Sequence, residues 1–593
     1  MNEPLLQVKD LSVDFAAEGN LTRAVKNISF NVLRGEITAI VGESGSGKSV
    51  TALSLMRLLP GQAKLKGELM FSGSNNQPID LLKYPLKSLS SIRGNDMAMI
   101  FQEPMTSLNP VFTCGFQVME AMQNHQKISA AIAKEKAIAL FEQVKLPDPV
   151  AMFNRYPHQL SGGQKQRVMI AMAMSCNPSL LIADEPTTAL DVTVQKTILE
   201  LIKQLQLKTG MSVLLITHDL GLVADIADKI VVMYKGEIVE QGDAAVILNA
   251  PRHPYTKALL ACRPAMHQRG ERLPVVSDFM PRVLETRPPG KTALLKDNNS
   301  LPQKESVIAK IDIKSVPGKL HDGLMEPVLK VENLKVFYPG KRVIFGRSNP
   351  PFKAVDDVSF TVSKGETVGL VGESGCGKTT LGRSILQLIK PTGGRIILNG
   401  ADLAGLSKAA MKPVRKDLQI VFQDPYGSLN PRLTIGSAIQ EPMKVHSILS
   451  GNNARRDKVH ELLEKVNLKP EHFYRYPHQF SGGQRQRICI ARALALNPSF
   501  LIFDESVSAL DVSVQAQVLN LLNDLKKEFR FTSIFISHDL SVVRFVSDRI
   551  IVMSKGKIVE EGPADEVYFN PKNEYTQRLV EAIPGKKIGN QHL

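Results

Sequence analysis

One phrase of this sequence occurs twice, and that repeat constrains the fold more than any other feature. VGESGSGKS at residues 41–49 returns as VGESGCGKT at residues 371–379, and YPHQLSGGQKQR from Tyr156 returns as YPHQFSGGQRQR from Tyr476. Several landmarks that recur in the same order and at a nearly fixed spacing indicate a duplicated domain, not chance. The sequence therefore predicts two homologous domains.

The repeat also places the domain boundaries. A chain of 593 residues is too long for one ordinary core. We predict a first domain over residues 1–264 and a second over residues 327–593. Between them, residues 265–326 lose their periodicity and accumulate Pro, Lys, Asp and Asn. That composition is typical of a surface linker that is largely flexible, with room for short ordered pieces.

Composition narrows the classes of protein. Hydrophobic residues make up 43% and charged residues 22%, as in ordinary globular domains. The five cysteines form no CxxC pair, which favours a reduced, cytosolic compartment. The start shows no signal-peptide pattern and no run of about 18 apolar residues exists, so we expect no membrane span. The net charge of +15 fits nucleic acid, an anionic membrane face or only a solvated surface of dispersed lysines.

Within each half, short apolar runs alternate with helical stretches. Runs at residues 37–41, 180–183 and 213–216 suit buried parallel strands, and each has a counterpart in the second half. The pattern predicts an α/β fold with a mostly parallel sheet covered by helices. Helical stretches over residues 128–144 and 456–466 precede the SGGQ phrases and indicate an inserted helical subdomain in each half.

Each half carries the phosphate-binding pattern G-x-x-x-x-G-K-[ST] between a predicted strand and a helix. Glycines let backbone N–H groups curl around phosphate oxygens, and the helix N-terminus adds favourable partial charge. The lysine then reaches the β- and γ-phosphates of ATP, while the hydroxyl of Ser49 or Thr379 ligates Mg²⁺. The residues assigned to ATP binding in these loops are Gly42, Ser44, Gly45, Gly47, Lys48 and Ser49, and Gly372, Ser374, Gly375, Gly377, Lys378 and Thr379.

An acidic pair follows a predicted strand in both halves, as Asp184 with Glu185 and as Asp504 with Glu505. Adjacent acids at such a place, taken alone, are usually a solvated strand end. Beside a phosphate loop in both copies, the aspartate becomes a candidate Mg²⁺ ligand. The glutamate projects to the opposite side of the extended chain and becomes a candidate catalytic base that polarises the attacking water.

Two further polar residues end apolar runs in each half. His218 and His538 follow the glutamates at the same spacing, which favours a catalytic contact with the γ-phosphate over a purely structural role. Gln102 and Gln423 follow strand-like runs. A neutral amide there can touch Mg²⁺ or water and move with a partner, and an ordinary loop glutamine is the alternative.

The SGGQ phrases form a second candidate anion site in each half. A serine and two glycines before a helix present backbone N–H groups and the positive end of a helix dipole. One ATP needs both a phosphate loop and an SGGQ phrase only if each comes from a different domain. The residues concerned are Ser161, Gly162, Gly163 and Gln164, and Ser481, Gly482, Gly483 and Gln484.

The order of these motifs, with an ALD phrase after each acidic pair at residues 189–191 and 509–511, resembles the ATP-binding-cassette (ABC) ATPases over both halves. The resemblance implies a P-loop fold and ATP hydrolysis in two tandem nucleotide-binding domains. It also implies an adenine-stacking aromatic near each domain start. Phe15 and Tyr338 stand at the matching places, where a core aromatic is the alternative.

The resemblance further implies how the two halves share their ATP. In a head-to-tail sandwich, ATP lies between the phosphate loop of one half and the SGGQ phrase of the other. Lys48 would then pair with Ser481, and Lys378 with Ser161.

Further sequence phrases indicate which type of ABC ATPase the chain resembles. QEPMTSLNP from Gln102 and QDPYGSLNP from Gln423, with PRHPYT from Pro251 and PKNEYT from Pro571, resemble the dipeptide, oligopeptide and nickel importers. Members usually occur as two separate ATPase proteins, and this chain looks like both fused. The resemblance implies an energy-coupling ATPase for the import of di- or oligopeptides, peripheral on the cytoplasmic face of the inner membrane. Its implied partners are two integral membrane permease subunits and an external substrate-binding protein.

Departures from the family's pattern lead to three predictions. Many relatives carry a cysteine-rich phrase in the first-half tail that is linked to an iron–sulfur cluster, but this tail has only Cys262, so we expect ATP and Mg²⁺ and no cluster. Cys376 stands inside the second phosphate loop where the first has Ser46. A thiol beside a helix N-terminus is expected to have a lowered pKa and raised reactivity, and a small residue that merely fits is the alternative. Both halves keep every catalytic group, so we expect two competent sites.

Two other classes of function compete with transport. A soluble tandem ABC protein that acts on ribosomes or nucleic acid would make use of the +15 charge. Such proteins typically carry a long, charged helical linker, which the Pro-interrupted segment here does not match. A nonhydrolytic scaffold conflicts with the intact Lys, Glu and His of both halves. We therefore expect transport, with no nucleic acid partner.

Overall fold

The computed structural model describes residues 4–17, 20–73, 77–102, 107–188, 190–280, 327–340 and 350–585. Within these ranges the two halves repeat one architecture. Each has a six-stranded, mostly parallel sheet, a four-stranded antiparallel sheet and surrounding helices. The predicted α/β class and the tandem repeat of one domain are confirmed.

The first half supplies the elements up to residue 280, the last of which lies within the predicted linker. Its described strands are β1 (Pro4–Ala17), β2 (Asn20–Leu33), β3 (Ile37–Val41), β4 (Ala63–Ser72), β5 (Pro78–Asp80), β6 (Met97–Ile100), β7 (Leu180–Asp184), β8 (Ser212–Thr217), β9 (Lys229–Tyr234) and β10 (Glu237–Asp243). Its described helices are α1 (Lys48–Leu55), α2 (Cys114–Gln126), α3 (Ala130–Gln143), α4 (Pro149–Phe153), α5 (Gly162–Met174), α6 (Val192–Thr209), α7 (Leu220–Val223), α8 (Ala244–Asn249), α9 (Pro254–Ala261) and α10 (Val276–Phe279).

The second half repeats this order. Its described strands are β11 (Leu329–Tyr338), β12 (Phe352–Val362), β13 (Thr367–Val371), β14 (Gly393–Leu398), β15 (Ala401–Asp402), β16 (Leu418–Val421), β17 (Phe500–Asp504), β18 (Thr532–Ile536), β19 (Arg549–Ser554) and β20 (Lys557–Pro563). Its described helices are α11 (Lys378–Ile385), α12 (Lys408–Asp417), α13 (Pro425–Ser428), α14 (Ile435–Val445), α15 (Asn452–Lys465), α16 (Gly482–Leu494), α17 (Val512–Phe529), α18 (Leu540–Val546), α19 (Ala564–Phe569) and α20 (Glu574–Glu581).

The parallel sheets bring the motifs to one edge. Their strand orders are β10-β9-β3-β8-β7-β6 and β16-β17-β18-β13-β19-β20, with every neighbouring pair parallel except β9 with β10 and β19 with β20. All residues of β3, β7 and β8 are buried, as apolar runs covered on both faces require. Because these strands run the same way, the phosphate loop after β3, the acidic pair after β7 and the histidine after β8 lie at the same carboxyl-terminal edge.

Each face of the first parallel sheet has its own core. Ile40, Ile182 and Leu214 point to the antiparallel sheet β2-β1-β4-β5 and share its buried cluster. Residues next to them, such as Ala39 and Leu215, belong to the opposite cluster beneath the helices. This alternation follows from the two-residue period of a strand.

The predicted helical subdomain is present in both halves. Helices α2 to α5 come between β6 and β7, and α14 to α16 come between β16 and β17. Thr113 and Ser129 begin α2 and α3, and each accepts a hydrogen bond from a backbone N–H of the first turn. None of the helices in the described ranges is long and apolar enough to cross a membrane.

The tail of the first half packs on the second half. After α9, a 3₁₀ turn (Pro264–Met266) and α10 follow. The backbone N–H of Leu273 donates to Asn520 Oδ1 at 2.9 Å, and Asn520 Nδ2 donates to the Leu273 carbonyl at 2.8 Å. Asn520 is buried, so these two bonds satisfy its amide. Residues 281–326 of the predicted linker lie outside the described residues.

Candidate active site

Glycines shape both phosphate loops. Each loop joins a buried strand to a helix, β3 to α1 and β13 to α11. Gly47 and Gly377 precede the helices with φ of 102° and 111°, in the left-handed region. A Cβ at Gly47 would lie 2.8 Å from the carbonyl oxygen of Ala24, and one at Gly377 would lie 2.1 Å from that of Ala354. Glycine, which has no Cβ, tolerates both this backbone conformation and the close approach of the carbonyl oxygen.

The loop lysines are buried inside their own loops. Lys48 Nζ donates to the carbonyl oxygens of Gly42 at 2.7 Å and Glu43 at 2.9 Å, and Lys378 repeats both bonds at the same distances. Burial lowers the pKa of Lys48, while Glu185, whose carboxylate is 4.0 Å away, opposes that shift. A buried ammonium group with carbonyl partners is well placed to receive phosphate oxygens.

A hydroxyl and a carboxylate meet beside each lysine. Ser49 Oγ donates to Asp184 Oδ1 at 3.0 Å, and Thr379 Oγ1 donates to Asp504 Oδ1 at 3.0 Å. Burial raises the pKa of Asp184 to about 6, with the charge of Glu185 adding to the rise, and burial also raises the pKa of Asp504. Hydroxyl and carboxylate oxygens are the hard donors that Mg²⁺ takes, and a nearby cation would relieve a buried carboxylate. The donor set therefore fits Mg²⁺.

The polar groups of the first half converge on Glu185. Gln102 Nε2 donates to its Oε2 at 3.2 Å, Thr188 Oγ1 donates to the same oxygen at 2.9 Å, and His218 Nδ1 lies 3.3 Å from it. Burial raises the pKa of Glu185, but the bond to His218 and the charges of His218 and Lys48 outweigh burial and lower it to about 2. An ionised carboxylate in a fixed orientation is what a base that polarises water requires.

The second half repeats this cluster with one difference. Gln423 Nε2 donates to Glu505 Oε2 at 2.8 Å, and His538 Nδ1 lies 3.8 Å from that oxygen. Burial raises the pKa of Glu505, but His538 and Lys378 outweigh it and the net shift is downward. Ser508 stands where the first half has Thr188, and its hydroxyl donates at 2.7 Å to the backbone carbonyl of Glu505, not to the carboxylate.

Both glutamates have a strained backbone. Glu185 and Glu505 adopt φ of 47° and 48°, in the left-handed region that side chains other than glycine rarely occupy. Such a conformation costs roughly 1–3 kcal/mol and persists where the surrounding structure enforces it. The same conformation recurs at other equivalent positions of the two halves, such as Asn177 with Asn497 and Lys235 with Lys555, so at the glutamates it belongs to the shared fold.

Each phosphate loop contacts the opposite half. Ser44 donates its backbone N–H to Asp511 Oδ2 and its hydroxyl to Asp511 Oδ1, both at 3.0 Å. In the reciprocal contact, Ser374 donates its backbone N–H to Asp191 Oδ2 at 3.4 Å. The two aspartates end the ALD phrases, of which Ala189 lies outside the described residues. The halves therefore meet through their phosphate loops, each against the segment that follows the other's acidic pair.

A cavity of about 490 Å³ lies at this junction. That volume is within the range of small-molecule sites, roughly 300–1,000 Å³. Its lining combines Gln102, Glu185 and His218 of the first half with Lys378, Glu505 and His538 of the second. The two SGGQ phrases, which the structure describes in full, are not part of the lining.

Comparison with known proteins identifies the family. The family model described as ABC transporter matches residues 25–188 and 355–508, and the one described as oligopeptide/dipeptide transporter, C-terminal region, matches residues 239–292 and 559–592. The glutathione import ATP-binding protein GsiA of Salmonella choleraesuis (strain SC-B67) is 48% identical over 98% of this chain and 89% of its own length. The chain belongs to the ABC transporter family. The proteins of the same name from Escherichia coli (strain K12) and Pectobacterium atrosepticum are 49% and 47% identical to this ABC ATPase, with the same coverage.

Two solved structures are similar to parts of this chain. A dimeric ATP-binding cassette in a post-hydrolysis state, bound to ADP and Pi, is 30% identical and covers 40% of this chain and 98% of its own, with a TM-score of 0.36. The cassette cbiO1 from Clostridium perfringens is 25% identical and covers 45% of this chain and 99% of its own, with a TM-score of 0.37. By family, this chain is an ATPase with two fused nucleotide-binding domains.

The SGGQ phrases of this ABC ATPase begin their helices with reciprocal caps. Ser161 Oγ accepts a bond from the N–H of Gln164 at 3.3 Å, and Gln164 Oε1 accepts one from the N–H of Ser161 at 3.1 Å. Ser481 and Gln484 repeat the arrangement. A Cβ at Gly163 would lie 2.9 Å from a methyl group of α6, so glycine lets the two helices approach. The predicted pairing of each phrase with the opposite loop stays a prediction.

The two predicted adenine-stacking aromatics lie in different surroundings. Phe15 is in β1 and packs partly buried on the core beneath the antiparallel sheet. Tyr338 ends β11, is 40% exposed and faces Phe352 across the strand pair. Phe352 lines the cavity and is a candidate that no motif indicated. The stacking role of Phe15 and Tyr338 stays a prediction.

The lowered pKa predicted for Cys376 is wrong. Its side chain is 7% exposed and packs in the core between the two sheets of the second half. Burial raises the pKa of the thiol, and the charge of Lys378 and the backbone N–H groups, which lower it, do not compensate. A thiolate is disfavoured in such a desolvated place despite the helix N-terminus. Cys376 is therefore a small residue that fits.

The cysteine of the first-half tail is also buried. Burial raises the pKa of Cys262 to about 12. Across the described residues, no three or more His, Cys, Asp or Glu side chains are grouped to hold a metal ion. The expectation that this chain has no iron–sulfur cluster stays a prediction.

Sequence reasoning missed the partner that distinguishes the two glutamates. Thr188 and Ser508 occupy equivalent positions, yet only the threonine hydroxyl reaches the carboxylate. The difference is visible in the sequence, since TTALD stands opposite VSALD, but no spacing rule assigns a contact to it.

Proposed function

We propose that this chain is the energy-coupling ATPase of an importer for small peptides, with glutathione or a similar peptide as cargo. The observation that carries the proposal is the match of both domain ends to the C-terminal region of oligopeptide and dipeptide transporters. The glutathione import ATP-binding proteins, which align with 98% of this chain and 89% of their own length, support a peptide as the cargo. A nucleotide-binding domain does not touch the cargo, so the permease and binding protein set the substrate.

The proposed roles follow the geometry of each half. Lys48 and Lys378 hold the β- and γ-phosphates, Glu185 and Glu505 polarise the attacking water, and His218 and His538 contact the γ-phosphate. Mg²⁺ would neutralise phosphate charge at each site. Its oxygen ligands would come from Ser49, Asp184 and Gln102 in the first half and from Thr379, Asp504 and Gln423 in the second.

We propose that both ATP sites are shared between the halves. In this arrangement Lys48 works with Ser481, and Lys378 works with Ser161. The bonds from Ser44 to Asp511 support it, because they already join the first phosphate loop to the second half beside its acidic pair. ATP would then draw the halves together, and hydrolysis would release them.

The proposed partners are two integral membrane permease subunits and an external substrate-binding protein, with this chain peripheral on the cytoplasmic face of the inner membrane. An apolar surface at the start of the helical subdomain suits a permease helix. Val111 is 70% exposed, and Phe112 and Phe116 are 43% and 42% exposed and stack on each other. Exposed apolar groups that lie together in this way mark contact surfaces.

Uptake by cells that lack the native chain tests the proposal. Wild-type protein should restore accumulation of labelled glutathione or a labelled dipeptide, whereas the Glu185→Gln, Glu505→Gln double variant, expressed equally, should not. In parallel, the chain purified from native membranes should bring two multi-span subunits with it. Co-purification of ribosomes or nucleic acid, with normal peptide uptake in the absence of the chain, would overturn the proposal in favour of the soluble alternative.

A further inference from the structure

A tyrosine near the end of each domain touches the phosphate loop. The hydroxyl of Tyr255 in α9 accepts a hydrogen bond from the backbone N–H of Glu43 at 3.0 Å. The hydroxyl of Tyr575 in α20 accepts one from the backbone N–H of Glu373 at 2.9 Å. These are the tyrosines of the PRHPYT and PKNEYT phrases, which served above only as marks of the importer type. The same contact occurs in both copies.

The rest of each phrase fixes where the tyrosine stands. The carboxylate of Glu240 in β10 accepts bonds from the N–H groups of Arg252 at 2.7 Å and His253 at 3.1 Å. His253 Nδ1 then accepts a bond from the N–H of Tyr255 at 3.2 Å, which caps the start of α9. This network ties the helix to the sheet through a carboxylate on β10.

The second half builds the same support with a different cap. Glu560 in β20 accepts bonds from the N–H groups of Lys572 at 2.8 Å and Asn573 at 3.1 Å. Asn573 Oδ1 accepts a bond from the N–H of Tyr575 at 2.9 Å. Asparagine replaces histidine at the cap, yet the tyrosine hydroxyl arrives at the same loop atom.

The loop glutamate whose backbone N–H donates to the tyrosine hydroxyl takes part in three hydrogen bonds. The carbonyl of Glu43 accepts from Lys48 Nζ at 2.9 Å, and its carboxylate accepts from the hydroxyl of Ser513 in the opposite half. In the second half, the carbonyl of Glu373 accepts from Lys378 Nζ at 2.9 Å. Its carboxylate accepts from the hydroxyl of Thr193 in the first half at 3.2 Å. The residue between tyrosine and lysine therefore also reaches across the interface.

We propose that Tyr255 and Tyr575 are positioning residues of the two ATP sites. Each hydroxyl fixes the backbone at the start of a phosphate loop, and through it the lysine and the contact with the opposite half. The proposal rests on the ATPase activity alone and not on the transported cargo. A purely structural role would be met by the ring, which phenylalanine also supplies. The hydroxyl is what reaches the loop, and both tyrosines retain it although Tyr255 is fully buried.

The test removes each hydroxyl from the full-length protein and measures ATP binding by calorimetry. Tyr255→Phe is measured in a Lys378→Ala background and Tyr575→Phe in a Lys48→Ala background, so that one loop is read at a time. Loss of one net hydrogen bond should raise the Kd for ATP about threefold to tenfold. Tyr234→Phe is the matched control. The ring of Tyr234 lies 4.3 Å from that of Tyr255, and loss of the Tyr234 hydroxyl leaves the bond between Tyr255 and Glu43 in place.

Kinetics separate positioning from folding. In the otherwise wild-type chain, each phenylalanine variant should raise KM for ATP while kcat at saturating ATP and the thermal unfolding midpoint change little. If Tyr255→Phe folds poorly, Tyr575→Phe, whose ring is less buried, still gives the answer. Unchanged Kd and KM in both variants, or changes equal to those of Tyr234→Phe, would overturn the proposal.

A double-mutant cycle tests the junction itself. Tyr255→Phe and Ser513→Ala act on the same glutamate, so their effects on the Kd for ATP at the first loop should be non-additive. Tyr255→Phe and Thr193→Ala act on different glutamates and should be additive. Equal additivity in both cycles would refute the link between the tyrosine and the opposite half.

Discussion

Arg263 joins the first-half histidine segment to the end of the second half, and its replacement should be costly. The side chain is 6% exposed; its Nε lies 3.7 Å from Asp219 Oδ1, one residue after His218. Its Nη2 donates to the carbonyl of Pro584 in the second half. A Cβ at Gly221 would lie 2.1 Å from the same Nη2, so the guanidinium occupies the space that a side chain there would need.

The second half has no arginine at the equivalent position. Ile583 stands at the position equivalent to Arg263, and Ser541 at the position equivalent to Gly221. The Ser541 hydroxyl donates to Asp539 Oδ1 at 2.6 Å, which gives that aspartate its own partner. The two halves therefore use two different but internally consistent pairs, arginine with glycine and isoleucine with serine.

These contacts set the size of the effect. Arg263→Ile removes a hydrogen bond from a charged donor, a loss of about 1.5–3 kcal/mol. Gly221→Ser alone forces a side chain into the guanidinium, and overpacking costs about 1–3 kcal/mol. Independent effects would add to about 2.5–6 kcal/mol. The double variant reproduces the second-half pair and avoids the overpacking, so we expect it to cost no more than the loss of about 1.5–3 kcal/mol in Arg263→Ile alone.

Thermal unfolding of the four proteins measures this coupling. Each single variant should lower the midpoint of the first-half transition by several degrees, since about 1 kcal/mol shifts a domain of this size by roughly 2–4 °C. The double variant should fall no further than Arg263→Ile alone, because the overpacking is gone. A double variant that falls as far as the sum of the two single variants would refute the reasoning, because the guanidinium and the serine would then not compete for the same space.

Three further predictions follow from the site. Glu185→Gln and Glu505→Gln should each lower ATP turnover at their own site about 100-fold or more while ATP binding persists, because each loses its catalytic base. Full ATP turnover in either variant would show that its glutamate is not the base. Ser44→Ala should raise KM for ATP about threefold to tenfold, because it loses the hydroxyl bond to Asp511 of the opposite half. Ser374→Ala keeps its backbone bond to Asp191 and should change KM less than twofold. Equal effects of the two variants would contradict the role of the Ser44 hydroxyl. Alkylating reagents should leave ATPase activity intact in native protein and label Cys376 only after denaturation, as mass spectrometry of the loop peptide can show.

The sequence predicted the fold because its signals are local and repeated. Buried strands such as β3 and β7 read as apolar runs, and glycine patterns marked where the chain turns into α1 and α11. The cluster around Glu185 was also predictable, since parallel strands end at one edge of a sheet. Cys376 shows the limit of local reasoning. A helix N-terminus can be read from the chain, but the desolvation that raises the pKa of this thiol depends on strands far away in sequence.

Contacts that depend on how the finished sheets and helices pack could not be predicted. Tyr255 and Glu43 come from opposite ends of one domain, and Arg263 and Pro584 come from different domains. No periodicity connects such pairs, because their meeting depends on how the completed sheets and helices pack. The PRHPYT phrase was visible as a family mark, yet its hydroxyl contact with the loop became clear only in three dimensions.

The central claim is that the two halves form one motor with two shared ATP sites. The most direct test counts the ATP molecules retained per chain after rapid gel filtration of a hydrolysis-blocked protein, Glu185→Gln with Glu505→Gln. Two should be retained. Adding Lys48→Ala with Ser481→Arg damages one shared site and should leave one ATP, whereas Lys48→Ala with Ser161→Arg damages both and should leave none. One ATP retained by the Lys48→Ala, Ser161→Arg protein would contradict the account, because each half would then hold its nucleotide alone.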